Sequence, residues 1–466
     1  MEQFGQIIKM INGWLWGPPL LILLVGTHLY LTFRTGFIQR KLGLGLKLSI
    51  TRDKGSTGDI TQFGALTTAL SSTIGTGNII GVGTAIAAGG PGALLWMWLT
   101  GVFGMATKYS ESLLAVKYRV INNKKMMIGG AMFALERGLK MKWLAVLFAA
   151  FTSLAAFGIG SGVQSNAVAT RLFDDFGIAH WVSGLIISVM TALVIMGGLK
   201  WIDRASQALV PFMTIFYILG CIVILVINHH FIIPAVQLVC TNAFNIKSLG
   251  GGFLGFAAVQ MMTAARYGVA RGLFSNESGM GSAPIVAAAA QTKNPVRQAL
   301  VSSTGTFWDT VVICLLTGLV IISSVLAHPE LHIDGLGGDE LTRKAFSQIP
   351  MIGKFILTFG LITFAFSTLL GWSYYGEKGL EYLFGTKSIA LYRLIFVIVT
   401  FLGTVLSLDI VWNIADALNA LMTIPNLIAV LLLSGVIVAE TKKYLKGDSI
   451  EDADDTPIPT RKQLST

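Results

Sequence analysis

The sequence predicts an all-α polytopic membrane protein of about eleven transmembrane helices, one N-terminal helix followed by two halves of five. Composition, the spacing of apolar runs and the distribution of Lys and Arg predict it. Of 466 residues, 53% are hydrophobic and 12% charged, and the mean hydropathy is +0.70. Soluble domains carry about 25% charged residues, so half of the polar coat that water requires is missing.

A hydrocarbon core about 30 Å thick takes about 20 apolar residues per helix. On that ruler the segments fall near 14–34, 60–88, 91–118, 143–171, 179–198, 204–228, 251–290 (interrupted), 298–327, 351–376, 389–408 and 411–440. The opening "MEQFGQIIKMINGW" has no basic n-region and no small-residue cleavage site follows it, so the first segment is expected to be retained. Residues 35–58 and 119–142 read as basic connectors and 328–350 as a polar loop. The tail from 447, charged and proline-containing, reads as disordered. The expected divisions are 1–58 (extra helix and connector), 59–250 and 251–440 (two five-helix repeats), and 441–466 (tail).

Lys and Arg set the orientation. With the N-terminus outside and the C-terminus in the cytoplasm, all of the 34 basic residues except Lys9, Arg171, Lys247, Arg343, Lys344 and Lys354 fall at cytoplasmic ends or loops. The net charge of +10 then reads as an inner face turned toward anionic lipid in a bacterial inner membrane, and nucleic acid is not an expected partner. Cys221, Cys240 and Cys314 have neither metal-ligand nor redox spacing and read as buried free thiols.

The stretch "SSTIGTGNIIGVG", residues 71–83, carries the functional signal. Its glycines follow a helical run, and no strand precedes them, which excludes a dinucleotide loop. Gly77 and Gly81 fit a small-residue packing face. A helix broken near the bilayer midplane is the other reading. In hydrocarbon, freed backbone groups are tolerated only beside protein or a wet cavity. The N-terminal end of the second half-helix then faces an anion, and the carbonyl end of the first faces a cation. This is the device of transporters with discontinuous helices. The matching irregular segment is 251–290, with its midplane expected near Ala258 to Thr263 and "RGLFSNESGMGSAP" expected on the cytoplasmic side. Halves of five helices must insert with opposite topology, the geometry of an inverted repeat.

The motifs "GTGNIIGV", "GGPGALLWMW", "RGLFSNESGMGSAP", "FAFSTLLGWSYYGEK" and "TFRTGFIQ" resemble those of the alanine or glycine:cation symporters. The resemblance runs from about residue 30 to 440 and implies a LeuT-type five-plus-five fold. It implies sodium-coupled, in some members proton-coupled, uptake of a small neutral amino acid, with Na+ as coupling ion. It also implies that the substrate carboxylate lies at the backbone of Thr76 and Gly77, with Asn78 turned to substrate or ion. Carbonyls near Ser71 and Ile74, with the hydroxyls of Ser367 and Thr368, would hold sodium; the bland alternative for these hydroxyls is back-bonding to their own helix. Gln164 is expected at the substrate amino group, against a role as helix–helix glue. Phe157 and Trp372 are expected at the pocket wall, and Gln260 and Thr263 are chosen by position alone.

Asp309 and Asp416 lie inside apolar spans, where acids default to functional hypotheses. A local cluster with Asn413 and Asn419 is expected for Asp416; Asp309 is left open. Lys108 and Glu111 read as an i,i+3 pair at the cytoplasmic end. His328, Glu330, His332 and Asp334 read as a solvated loop. A channel is the rival class, distinguished by the absence of coupled, saturable exchange. No enzyme motif and no obligatory protein partner is expected.

Overall fold

The computed structural model describes residues 2–51, 53, 56–244, 254–329, 336–349, 352–405, 408–445 and 449–464. Two helices lead in, α1 (Glu2–Leu15) and α2 (Pro18–Arg34), bent by 40° at Trp16–Gly17. The short α3 (Leu42–Ile50) precedes α4 (Gln62–Thr73), α5 (Gly77–Gly89) and α6 (Ala93–Lys117). A small hairpin, β1 (Val120–Ile121) and β2 (Met127–Ile128), lies in the stretch read as a connector. Then come α7 (Lys142–Phe176), α8 (His180–Ile195), α9 (Leu199–Ile227) and α10 (His229–Phe244). The remainder is α11 (Leu254–Asn276), α12 (Pro284–Ala287), α13 (Pro295–Ala327), α14 (Gly338–Phe346), α15 (Ile352–Phe384), α16 (Ile389–Val405), α17 (Leu408–Leu432) and α18 (Ser434–Leu445). Among the described residues, six helices are long and apolar enough to cross a membrane by length and composition, seven if the bent pair is one span.

The helices sort into two interlocked groups. In one, α6 packs on α11 and α13, α5 on α11, and α4 on α13. In the other, α7 packs on α15 and α16, and α16 on α8. Helix α4 also touches α9 and α15, so it lies on the seam between the groups. Without a hydrophobic force between helices in lipid, close approach depends on small residues. Gly268 and Gly272 provide it: a Cβ there would come within 2.3 Å of Ala93 O and 2.2 Å of Thr100 Oγ1. Outward, Phe212, Ile215, Leu219, Ile222 and Val226 expose an apolar stripe along α9. Inward lie buried Ser, Thr, Asn and Gln side chains. The polarity is that of a protein dissolved in lipid.

Two expectations change. Helix α11 runs unbroken through Ala258 to Thr263, and the irregular turn follows Asn276. Glu277, Gly279 and Gly281 adopt positive φ there, Glu277 at 56° despite its side chain. Arg266 and Arg271, counted above with the inner face, therefore precede the break. The tail is also ordered over its described residues, with 3₁₀ turns at Ser449–Glu451 and Arg461–Leu464. The chain between them is held by side chains distant in sequence.

Candidate functional site

The first break is built locally. Thr61 caps α4, its Oγ1 accepting from Gly64 N at 3.0 Å. The helix ends at Thr73, where Ile74 turns extended (φ −76°, ψ 95°). Asn78 Oδ1 accepts from Gly75 N at 2.9 Å, capping the loop from the far side. The following turn, Gly77–Gly81, is a π-helix. A side chain at Gly77 would press on Phe274 Cδ1 and Ser275 Cα, each at 3.2 Å, so the breaks of α4–α5 and α11–α12 meet here.

Oxygen atoms converge on Ile74. Ser367 Oγ and Thr368 Oγ1 lie 3.4 and 3.3 Å from its carbonyl oxygen. Both hydroxyls also lie closer to Phe364 O, at 2.8 and 3.0 Å. A hydroxyl has one proton. When the proton goes to Phe364, the back-bonding expected of helix hydroxyls, the remaining lone pairs face the Ile74 carbonyl. Oxygens crowded in this way suit a hard cation. Ser71 is buried nearby, its hydroxyl donating to Thr68 O at 2.8 Å.

Gln164 joins this group from α7. Its Oε1 accepts from Thr76 N at 3.2 Å and its Nε2 donates to Ile159 O at 3.0 Å. That carbonyl belongs to the π-helical turn Ala156–Gly162, where widening spares backbone groups. Thr76 Oγ1 and Asn276 Nδ2 are buried with no partner among the described residues. Such groups cost about 1–3 kcal/mol each when left dry. Trp372 is fully buried, with Gly160 against its Cβ: an added methyl would stand 2.3 Å from that atom. Gly160→Ala is expected to displace α15 from α7 and abolish uptake, measured as labelled-solute accumulation at matched expression.

Ile74, Thr76, Gly77, Asn78, Gln164, Ser367, Thr368 and Gly160 beneath Trp372 therefore form one neighbourhood. Phe157 packs on Tyr392 and Phe396, with centroids at 5.2 and 6.2 Å. Thr263 lies 13 residues before Asn276 on the unbroken α11, roughly 20 Å at helical rise. The side chain of Gln260 is outside the described residues, as are Glu330, His332 and Asp334.

Sequence reasoning missed how Asp309 is used. It is fully buried in the π-helical turn Phe307–Cys314. Its Oδ1 accepts from Asn78 Nδ2 at 2.8 Å; its Oδ2 accepts from Ser275 Oγ at 2.8 Å and Thr310 Oγ1 at 2.6 Å. Asn78 thus has both ends engaged, one on Gly75 and one on Asp309. The carboxylate joins α5, α11 and α13 through neutral donors alone. Asn276, in the break of α11, was missed as well; only correct placement of that break would have found it.

Two other acids have partners beyond those expected. Asp416 pairs with Arg271 at 3.1 Å, an ion pair that was not expected, and Arg271 lies over the rings of Phe274 and Trp412. Glu111 meets Lys108 at 3.5 Å as expected, yet both are buried, and Glu111 Oε2 accepts from Gly279 N (3.1 Å) and Asn426 Nδ2 (2.8 Å). Between α12 and α13, Gln291 N donates to Ile60 O at 2.7 Å, and the Arg119 side chain donates through Nη1 to Ala288 O and Ala290 O at 3.2 and 2.9 Å.

Known proteins resemble this chain. The sodium/alanine symporter AgcS of Methanococcus maripaludis is 51% identical over 449 residues, covering 95% of this chain and 97% of its own. The probable sodium/glutamine symporter GlnT of Bacillus subtilis is 35% identical over 455 residues, covering 96% and 92%. Among solved structures, MhsT in complex with L-phenylalanine superposes with a TM-score of 0.53 at 17% identity, over 86% of this chain and 94% of MhsT, a likeness of LeuT-type fold. A profile of the sodium:alanine symporter family matches residues 1–456, and the chain belongs to that family.

Proposed function

We propose that the protein is a secondary active symporter that couples inward sodium movement to uptake of a small neutral amino acid, alanine or glycine. The observation that carries this reading is the cluster of the Ile74 carbonyl with Ser367 and Thr368, two residues from Thr76, whose hydroxyl has no partner among the described residues and whose N–H meets the Gln164 amide. Sodium takes the oxygen cluster. The substrate carboxylate takes the backbone of Thr76 and Gly77, and its amino group takes carbonyl oxygen nearby. Trp372 on Gly160 limits the side chain to a small one. Eleven crossings, each broken helix counted once, put the N-terminus outside and the C-terminus in the cytoplasm of a bacterial plasma membrane, with residues 59–250 and 251–440 as the inverted repeats.

Transport follows by alternating access, the α4–α6, α11–α13 group rocking against the group of α7, α8, α15 and α16. The substrate is a zwitterion, so one sodium per cycle carries one positive charge inward. This is worth ~2.3 kcal/mol per 100 mV. At ~1.4 kcal/mol per decade, 100 mV alone sustains roughly 40-fold accumulation. In proteoliposomes, labelled alanine should accumulate when a sodium gradient is imposed and more so with an inside-negative potential. Uptake indifferent to sodium and driven by a proton gradient would make the protein a proton-coupled transporter of the same fold. Flux without counterflow would make the protein a channel.

A further inference from the structure

We propose that the C-terminal tail, residues 449–464, is a latch that holds the inner side of the transporter shut by bridging the two helix groups across their seam. This rests on the alternating-access reading above. At one end the tail is fixed to the α4–α6, α11–α13 group. Asn294 Nδ2, just before α13, donates to Ile450 O at 2.9 Å and Asp452 O at 3.0 Å. Asp454 N donates to Lys293 O at 2.8 Å. Glu451 accepts from Lys293 Nζ at 3.0 Å and from Arg297, and Asp454 meets Lys117, the last residue of α6, at 3.1 Å.

The hairpin that follows α6 holds the middle of the tail, Ile121 N donating to Pro459 O at 3.0 Å. At the other end the tail is fixed to the second group. Arg461 donates to Glu381 O at 2.8 Å and to Tyr382 O, and lies over the Tyr382 ring at 5.5 Å. Glu381 and Tyr382 are in the last turn of α15, where Glu381 O also accepts from Gly385 N at 2.9 Å and a guanidinium lies at the negative end of the helix dipole. The span between, Ala453–Ile458, covers a cavity of about 60 Å³ walled by Thr57, Lys117, Arg119 and Arg137. The same chain therefore grips both bodies that must separate for the inner side to open.

The charges agree with docking. The Lys293 ammonium, then Arg297, holds the Glu451 carboxyl below its ordinary range. Burial pushes Asp454 up, but the Thr456 hydroxyl and Lys117 outweigh it and leave it lowered. Depressed carboxyls stabilise the docked tail above the ordinary carboxylate range, and that stabilisation is lost as pH falls through it.

The test uses the full chain with Cys240→Ser and a reporter, Ala65→Cys, buried on α4 within the seam and outside the tail's contacts. Inside-out vesicles are treated with an impermeant maleimide, with and without deletion of 446–466, and with Arg461→Ala. The latch predicts at least fivefold faster labelling of the deletion, an intermediate gain for Arg461→Ala, and a smaller difference in 1 M salt, where exposed ion pairs are screened. Equal labelling rates in all three, in variants that still accumulate alanine, would overturn it. Labelling only in right-side-out vesicles would refute the orientation and leave the bridge itself to be read from the ratio between variants. Loss of sodium-driven uptake in the unmodified chain would overturn the transport reading instead.

Discussion

Thr368→Val should raise the sodium concentration for half-maximal uptake by roughly 10- to 100-fold, with little change in expression. Valine keeps the branched shape and deletes one of the oxygens facing the Ile74 carbonyl, 3.3 Å away. A contact with a charged partner is worth about 1.5–3 kcal/mol, and each 1.4 kcal/mol is about tenfold. Thr368→Ser, which retains the oxygen, should stay near the parent. Equal sodium dependence in all three proteins would place the cation elsewhere. The measurement is initial uptake rate against sodium at fixed alanine.

Asp309→Ala should cost more. It removes the 2.8 Å acceptors of Asn78 Nδ2 and Ser275 Oγ. The first is left to the Asp309 main-chain O at 3.1 Å and Cys314 Sγ at 3.3 Å, and the second to Cys314 Sγ at 3.2 Å. These weaker partners recover only part of a loss of about 1–3 kcal/mol each. Asn78 would then be free to release Gly75 N, and the unwound turn would lose its cap. Uptake should fall by roughly 100-fold or more, on the scale of two such penalties. Asp309→Asn separates charge from shape. Its amide keeps the volume but turns at most one oxygen toward three donors, so it should retain the fold by thermal melting and still lose most transport. Full activity in Asp309→Asn would show that the negative charge has no part in the cycle.

Much of this was legible in the chain. The paired glycines and flanking polar residues of "IGTGN" point to a broken helix, since a small-residue packing face accounts for the glycines but not for Thr76 and Asn78 beside them. The second break was misplaced by a charge argument. Arg266 was set at the inner surface, and Arg271 counted with it, as solvated arginines. A guanidinium over two rings with a carboxylate partner needs no water, so Arg271 carried no information about depth. Ser367 and Thr368 became candidates only through resemblance, since hydroxyls on an apolar helix usually bond to their own backbone, as these also do. The order of the tail was hidden for a different reason. Its composition is that of a solvated segment, and its partners Lys117, Asn294 and Glu381 are remote in sequence.

The π-helical turns have a consequence for the numbering of the chain itself. Each accommodates one residue more than an α-helix would, and one residue of α-helix is about 100° of rotation. Asn78 lies inside one such turn, Asp309 inside another, and Gln164 two residues past a third. Removing a single residue from any of them would swing everything beyond it by more than a quarter circle and point the amide or carboxylate at the wrong neighbour. Related chains can thus exchange many side chains around these positions, whereas a one-residue deletion between Ala156 and Gly162 should not be tolerated; the azimuths are fixed by residue count.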